Sequence, residues 1–159
     1  MSTIYVDNLQ PNLGNAVYAA GHVVQVKETS AIAFSSSSTT TYTDLLTLSF
    51  TPKFSNSLLI ATVSLRWQES AIVNNLKYKL LHDSTIIHEV SNYSAYADAA
   101  ANIIGSISFQ AKVTSGSTSA RNFVFQVAGV GGAGTPSITI NSNGTTGNET
   151  ILTVMEIAQ

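Results

Sequence analysis

The chain is 159 residues long, contains no cysteine and carries a formal charge of −2. That length fits a single domain with a core large enough to need no staples, and the missing cysteines exclude a disulfide scaffold and thiolate metal sites. Only 10% of residues are charged, against about 25% in an average domain. The basic residues are scattered from Lys27 to Arg121, so nothing resembles the clustered cations that neutralise phosphates, and nucleic acid is not an expected partner.

In chain order, residues 1–20 come first and differ from the rest. Ile4, Tyr5, Val6 and Leu9 precede a Pro11–Gly14 turn that holds Leu13, and Val17-Tyr18 leads into Gly21. A terminus this apolar reads as an arm that docks onto something, and Ile4, Tyr5, Val6, Leu9 and Leu13 are the candidate anchoring residues. The opening MSTIYVDNLQ has no basic start followed by an apolar stretch, so no secretory signal is expected. No apolar run reaches the ~18 residues of a membrane helix, so no membrane partner is expected either.

Beyond the arm, period-two alternation recurs and helical periodicity does not. A weak strand is expected at Val23–Lys27, followed by a hydroxyl-rich loop at Ser35–Thr41 (SSSSTTT) that satisfies its own backbone or forms a sheet edge. Leu46, Leu48 and Phe50 then alternate with Thr47 and Ser49, and Thr51-Pro-Lys-Phe-Ser-Asn-Ser breaks the strand. The clearest strand is Leu59–Trp67, with Leu59, Ala61, Val63, Leu65 and Trp67 on one face and Trp67 expected in the core.

Weaker strands at Leu76–Leu81 and Thr85–Val90 flank a His82-Asp83-Ser84 turn. The segment 91–103, containing SAYADAAA, is expected to be a loop with at most one helical turn, and its Tyr93 and Tyr96 are candidate receptor contacts. Ile107, Phe109, Ala111 and Val113 form the next alternating face, then Phe123, Phe125 and Val127. After Gly129–Pro136 comes a weak strand at Ser137–Asn141, a second Gly/Asn-rich break, and a last strand over Ile151–Ile157. That last strand is apolar on both faces until Glu156, which places it in the middle of a sheet or at a subunit interface. Ile151, Leu152, Val154, Met155 and Ile157 are the candidate interface residues.

Eight or nine short strands at such spacing predict an all-β, antiparallel two-sheet sandwich, with a jelly roll favoured and an immunoglobulin-type sandwich as the alternative. The expected division is an N-terminal arm and linker over 1–20 and a β-sandwich over 21–159. Because polarity comes from Ser, Thr and Asn rather than from charge, the surface suits a permanent assembly better than a freely diffusing monomer. An extracellular β-domain would share that composition. The sequons at Asn92, Asn143 and Asn148 read as products of that composition.

Chemistry is sparsely signalled. His82, Asp83 and His88 would need further ligands to hold a metal, and a solvated turn is the commoner reading. The nine carboxylates do not reveal a facing pair. No Gly-x-Ser-x-Gly elbow is present, and Gly129–Gly134 lacks the Lys-Ser/Thr of a phosphate loop. The expectation is therefore a non-enzyme with no cofactor and no metal.

Several segments taken in order resemble virion proteins of tailed phages of aquatic bacteria, including cyanophages. They are Ser2-Thr-Ile-Tyr-Val-Asp-Asn-Leu-Gln-Pro-Asn-Leu-Gly, Gly21-His-Val-Val-Gln-Val, a Ser/Thr-rich run, Thr51-Pro-Lys-Phe-Ser-Asn-Ser-Leu-Leu-Ile, Leu80-Leu-His-Asp-Ser-Thr-Ile, and Leu152-Thr-Val-Met-Glu-Ile. The resemblance spans nearly the whole chain, and the order of the motifs carries it. It implies a tail-fibre-like or capsid-decoration protein at the virion surface, with a trimeric jelly-roll head of C1q/tumour-necrosis-factor type. Its implied partners are two further copies and other virion proteins. The alternative is a fibre tip that binds a host glycan. The absence of any collagen-like, coiled-coil or β-helical shaft favours a short knob over a long fibre.

Overall fold

In the computed structural model, the residues described are 19–31, 34–37, 40–69, 75–91, 103–130, 137–140 and 149–159. The candidate anchoring residues Ile4, Tyr5, Val6, Leu9 and Leu13, and the candidate receptor contacts Tyr93 and Tyr96, lie outside them. All regular structure among the described residues is β. The strands are β1 (Val23–Ala31), β2 (Phe34–Ser37), β3 (Thr43–Phe50), β4 (Leu58–Glu69), β5 (Asn75–His82), β6 (Thr85–Val90), β7 (Ile103–Thr114), β8 (Arg121–Val130), β9 (Ser137–Ile140) and β10 (Thr150–Ile157).

They form two antiparallel sheets. In sheet A, β7 occupies one edge of β4 along its whole length, from Leu58↔Thr114 to Glu69↔Ile103. β10 and β9 must therefore share the other edge, β10 against Leu58–Ser64 and β9 against Trp67–Glu69. Beyond them lie β1 on β10 and β2 on β9. Sheet A is thus four strands wide, with β1/β2 and β10/β9 each filling one strand position in two pieces. Sheet B runs β3-β8-β5-β6.

With those two merged positions, the chain pairs first with last and works inward: β1/β2 with β9/β10, β3 with β8, β4 with β7, β5 with β6. One long hairpin wound into a double layer gives that nesting, which is the jelly roll of two Greek keys. The β10–β4 and β8–β5 ladders then join the pairs into sheets. The expected sandwich is present and its favoured connectivity with it. The Ser-rich stretch lies at a sheet edge, one of the two forms expected, and there Phe34–Ser37 is a paired strand and not a loop.

The inward faces follow the alternation. Leu46, Leu48 and Phe50 of β3, Leu59, Ala61, Val63, Leu65 and Trp67 of β4, and Phe123, Phe125 and Val127 of β8 are all in the core. Phe50 and Phe123 meet edge-on with ring centroids 6.4 Å apart, a favoured aromatic geometry. Trp67 lies opposite Gly105 in the β4–β7 ladder. A Cβ on Gly105 would fall 2.5 Å from the indole ring, so this edge position has no room for any side chain while the indole stays put.

One pole of the sandwich, where β3 turns to β4, β5 to β6 and β7 to β8, is described in full. There the Ser115 amide donates to the Ser57 carbonyl at 2.9 Å and the Ser115 hydroxyl to the Phe54 carbonyl at 2.6 Å. Loops that would otherwise expose unpaired backbone are thereby tied to one another.

Candidate assembly surface

A sheet with one face in the core presents the alternate residues outward, and the ladders show which of them sit side by side. Across sheet A, from β1 to β7, the outward rows are Val23–Ile157–Leu58–Thr114, then Val26–Met155–Ile60–Lys112, Glu28–Thr153–Thr62–Gln110, and Ser30–Ile151–Ser64–Ser108. The first two rows make a contiguous apolar area three strands wide. Val23 is 50% exposed and Val26 55%; Met155, Ile157, Leu58 and Ile60 are half-buried. Scattered surface apolar residues are ordinary, whereas a contiguous patch framed by polar groups marks a contact surface.

Charge is sparse on this face. Among the described residues it carries Glu28 on the β1 edge, Lys112 on the β7 edge, and Arg66 further along β4. The Glu28 carboxylate accepts a 3.2 Å bond from the Thr153 hydroxyl. Neither Glu28 nor Lys112 forms an ion pair among the described residues.

β10 divides the interface expected from sequence. Leu152 and Val154 are fully buried and pack inside the chain's own core, so they are not available to a neighbouring copy. Ile151, Met155 and Ile157 point outward. β10 has apolar residues on both faces because it lies inside sheet A, between β1 and β4, and covers the core on one side. The sequence reading missed Val23, Val26, Leu58 and Ile60, which only the ladder places beside Met155 and Ile157.

Glu156 shares the parity of Leu152 and Val154 and is itself fully buried. Its carboxylate accepts bonds from the Lys53 amide at 2.9 Å, the Phe54 amide at 3.0 Å, the Ser57 hydroxyl at 2.7 Å and the Gln25 amide group at 2.6 Å. Burial alone would push its pKa up; the bonds from Ser57, Lys53, Gln25 and Phe54 outweigh it and hold the carboxyl below its usual range. All four donors are neutral. The charge therefore clamps the β3–β4 loop without a counter-ion. An acidic residue ending an apolar face was the available signal, but its partners lie about a hundred positions away in sequence.

On the sheet B side of the same pole, Asp83 adopts φ +53° between β5 and β6, a left-handed turn that Asp tolerates. It pairs with Arg121 at 2.6 Å and accepts from the Asn122 amide at 2.9 Å, and its own amide donates to the Asn122 carbonyl. The Asn122 and Arg121 bonds hold its carboxyl below the usual range.

The Asp83-Ser84 turn is exposed, as expected, whereas the histidines that flank it in β5 and β6 are half-buried. His82 lies against Phe123 with centroids 4.9 Å apart, and His88 stacks on Phe109 at 4.2 Å. The Nε2 atoms of both are buried, without a hydrogen-bond partner among the described residues, and burial lowers both pKa values. Among the described residues, no three His, Cys, Asp or Glu converge as metal ligands would. Outside sheet B, the Lys77 and Lys79 ammoniums sit 4.9 and 4.2 Å from the centre of the Tyr42 ring. The Tyr42 hydroxyl donates to Glu89 at 3.0 Å, and burial together with that bond pushes its pKa up to about 12.

Neither a protein-family model nor a curated protein matches the sequence. Solved structures do. A structure of infectious bursal disease virus, Gt strain, superposes with a TM-score of 0.56 at 12% identity, covering 98% of this chain and 43% of that one. T=1 particles derived from infectious bursal virus give 0.55 at 11% identity, covering 98% and 41%. The T13 particle of the same virus gives 0.55 at 13%, covering 98% and 40%. What is shared is the fold. This chain spans less than half the length of each of those proteins.

Proposed function

We propose that this chain is a structural protein of a virus particle, most specifically a short oligomeric appendage or capsid-decoration protein on a tailed phage. In this reading, residues 1–20 anchor it to other virion proteins and the jelly roll forms a trimeric head at the virion surface. It performs no catalysis and uses no cofactor. The observation that carries the reading is the outer face of sheet A, which is broad, weakly charged and apolar at one end. Such a face favours permanent burial over free diffusion. The fold likeness to chains of a virus particle and the ordered motif resemblance to phage virion proteins support it further.

Mass spectrometry of purified particles from the source phage tests the proposal. The chain should co-purify at a fixed stoichiometry: one matching the capsid lattice indicates decoration, and one matching the symmetry of the tail indicates an appendage. Its presence in infected-cell lysate but not in washed particles would contradict the proposal.

A further inference from the structure

The rings at one edge of the sandwich form an acid-sensitive latch: we propose that His88 holds β6 of sheet B against β7 of sheet A, and that its protonation releases β6 and bares the rings beneath. The inference concerns the folded chain alone and does not depend on the virion reading.

Side chains build this seam. β6 and β7 are outer strands of different sheets and share no ladder. A stack of rings spans the gap instead. His88 lies on Phe109 with centroids 4.2 Å apart and planes 13° from parallel. Tyr78 of β5 is close to parallel with both, 5.1 Å from Phe109 and 5.9 Å from His88. Phe125 of β8 adjoins Tyr78 at 6.1 Å and Phe109 at 5.9 Å. Burial pushes the Tyr78 phenol up, so His88 is the member of this group that mild acid can charge.

The stacking decides what a proton does there. Imidazole N–H bonds lie in the plane of the ring, so a ring parallel to its neighbours aims them at neither aromatic face. The His88 Nε2 atom is buried without a hydrogen-bond partner among the described residues. In the neutral ring that nitrogen can be a bare lone pair; in the imidazolium both nitrogens carry a proton, and this one meets no acceptor. The pull of the flanking rings on a cation is smaller than the cost of a buried charged donor left unpaired.

No carboxylate compensates among the described residues. Lys77 and Lys79 of β5 and Glu89 of β6 gather around Tyr42 outside sheet B. Lys112 of β7 is on the outer face of sheet A, and Arg121 of β8 pairs with Asp83 at the pole. His82 stands differently, beside Asp83 and Arg121, whose effects on it oppose each other. Release of β6 also disturbs little. The strand has 6 residues and is paired on one side only, and its ladder shifts register between Leu80, the partner of His88, and Leu81. Such an edge opens locally while the core stays closed.

Hydrogen exchange of the full-length chain, read by mass spectrometry with intrinsic rates corrected, tests this. A solvated imidazole, with a pKa of about 6.5, can favour the open form up to about 30-fold more at about pH 5 than at about pH 7.5. Protection of Thr85–Val90 should fall several-fold within that bound, while β4 and β10 keep theirs. His88→Phe retains the stack without the titrating nitrogen and should abolish the fall; His82→Phe should leave it in place. Unchanged protection of β6, an equal loss in every strand, or a His88→Phe variant that responds like the wild type would overturn the inference. If His88→Phe does not fold, nuclear magnetic resonance titration of the wild type decides. A His88 ring that becomes charged while β6 remains protected sinks the latch, and one that charges together with the loss of protection supports it.

Discussion

Two carboxylates anchor the same pole of the sandwich by opposite means. Glu156, in sheet A, is fully buried and held by neutral donors from the β3–β4 loop and β1. Asp83, in the β5–β6 turn of sheet B, is more than a third exposed and pairs with Arg121 across to β8. A buried charge is tolerated only when its hydrogen-bonding capacity is filled, and removing it then strands every donor. An exposed pair is screened by water and contributes little. The pole is therefore fixed firmly beneath sheet A and lightly beneath sheet B. The firm side is the one whose outer face is inferred to line the assembly.

Replacing the anchors separately should expose that asymmetry. Glu156→Ala is expected to cost about 3 kcal/mol, because one buried and three partly buried donors lose their acceptor at once; denaturant unfolding measures it. Glu156→Gln should recover only part, since an amide cannot accept from all of them. Asp83→Ala should cost on the order of 1 kcal/mol, combining a screened ion pair with a left-handed turn that alanine disfavours. Asp83→Asn should be milder, as it keeps the turn and an acceptor for the Asn122 amide. Comparable losses at both sites would erase the distinction.

Acid should separate the histidines from the two carboxylates more gently. His82 and His88 have folded pKa values below their ordinary value because burial disfavours their protonated forms. Their contribution is present at neutral pH and is lost as pH falls through the unfolded value of about 6.5. Glu156 and Asp83 are also held low, but as acids; what they contribute persists until pH drops below about 4, the ordinary carboxylate value. Melting temperature against pH should therefore decline in two stages. His88→Phe should diminish the upper stage and leave the lower one in place.

The sequence made the strands legible wherever one face is dry and the other wet, since alternation then records the pleat directly. Leu59–Trp67 is the clearest case, and Thr85–Val90 coincides with β6. Where both faces are alike the record is thinner: the serines of β2 carry no contrast, and β10, although its extent and its place inside a sheet were legible, does not reveal which apolar face is inward. Pairing was illegible altogether. That Val26, Met155, Ile60 and Lys112 form one row depends on register between strands far apart in the chain. The interface expected from β10 alone therefore mixed outward Ile151, Met155 and Ile157 with inward Leu152 and Val154. Glu156 was hidden for a related reason, because what makes it a clamp is the loop it meets.

Because the chain has no cysteine, a disulfide can report directly on how the edges meet. Glu28 and Gln110 share a row on opposite edges of sheet A, with β10 and β4 between them. Within one copy they are about 14 Å apart, three strand spacings, well beyond the ~7 Å limit for a disulfide. Combining Glu28→Cys with Gln110→Cys and oxidising the folded protein should give covalent dimers and trimers, with nothing larger, on a non-reducing gel. Monomers alone after complete oxidation, or an open ladder of higher species, would contradict a trimeric head whose copies meet through the outer face of sheet A.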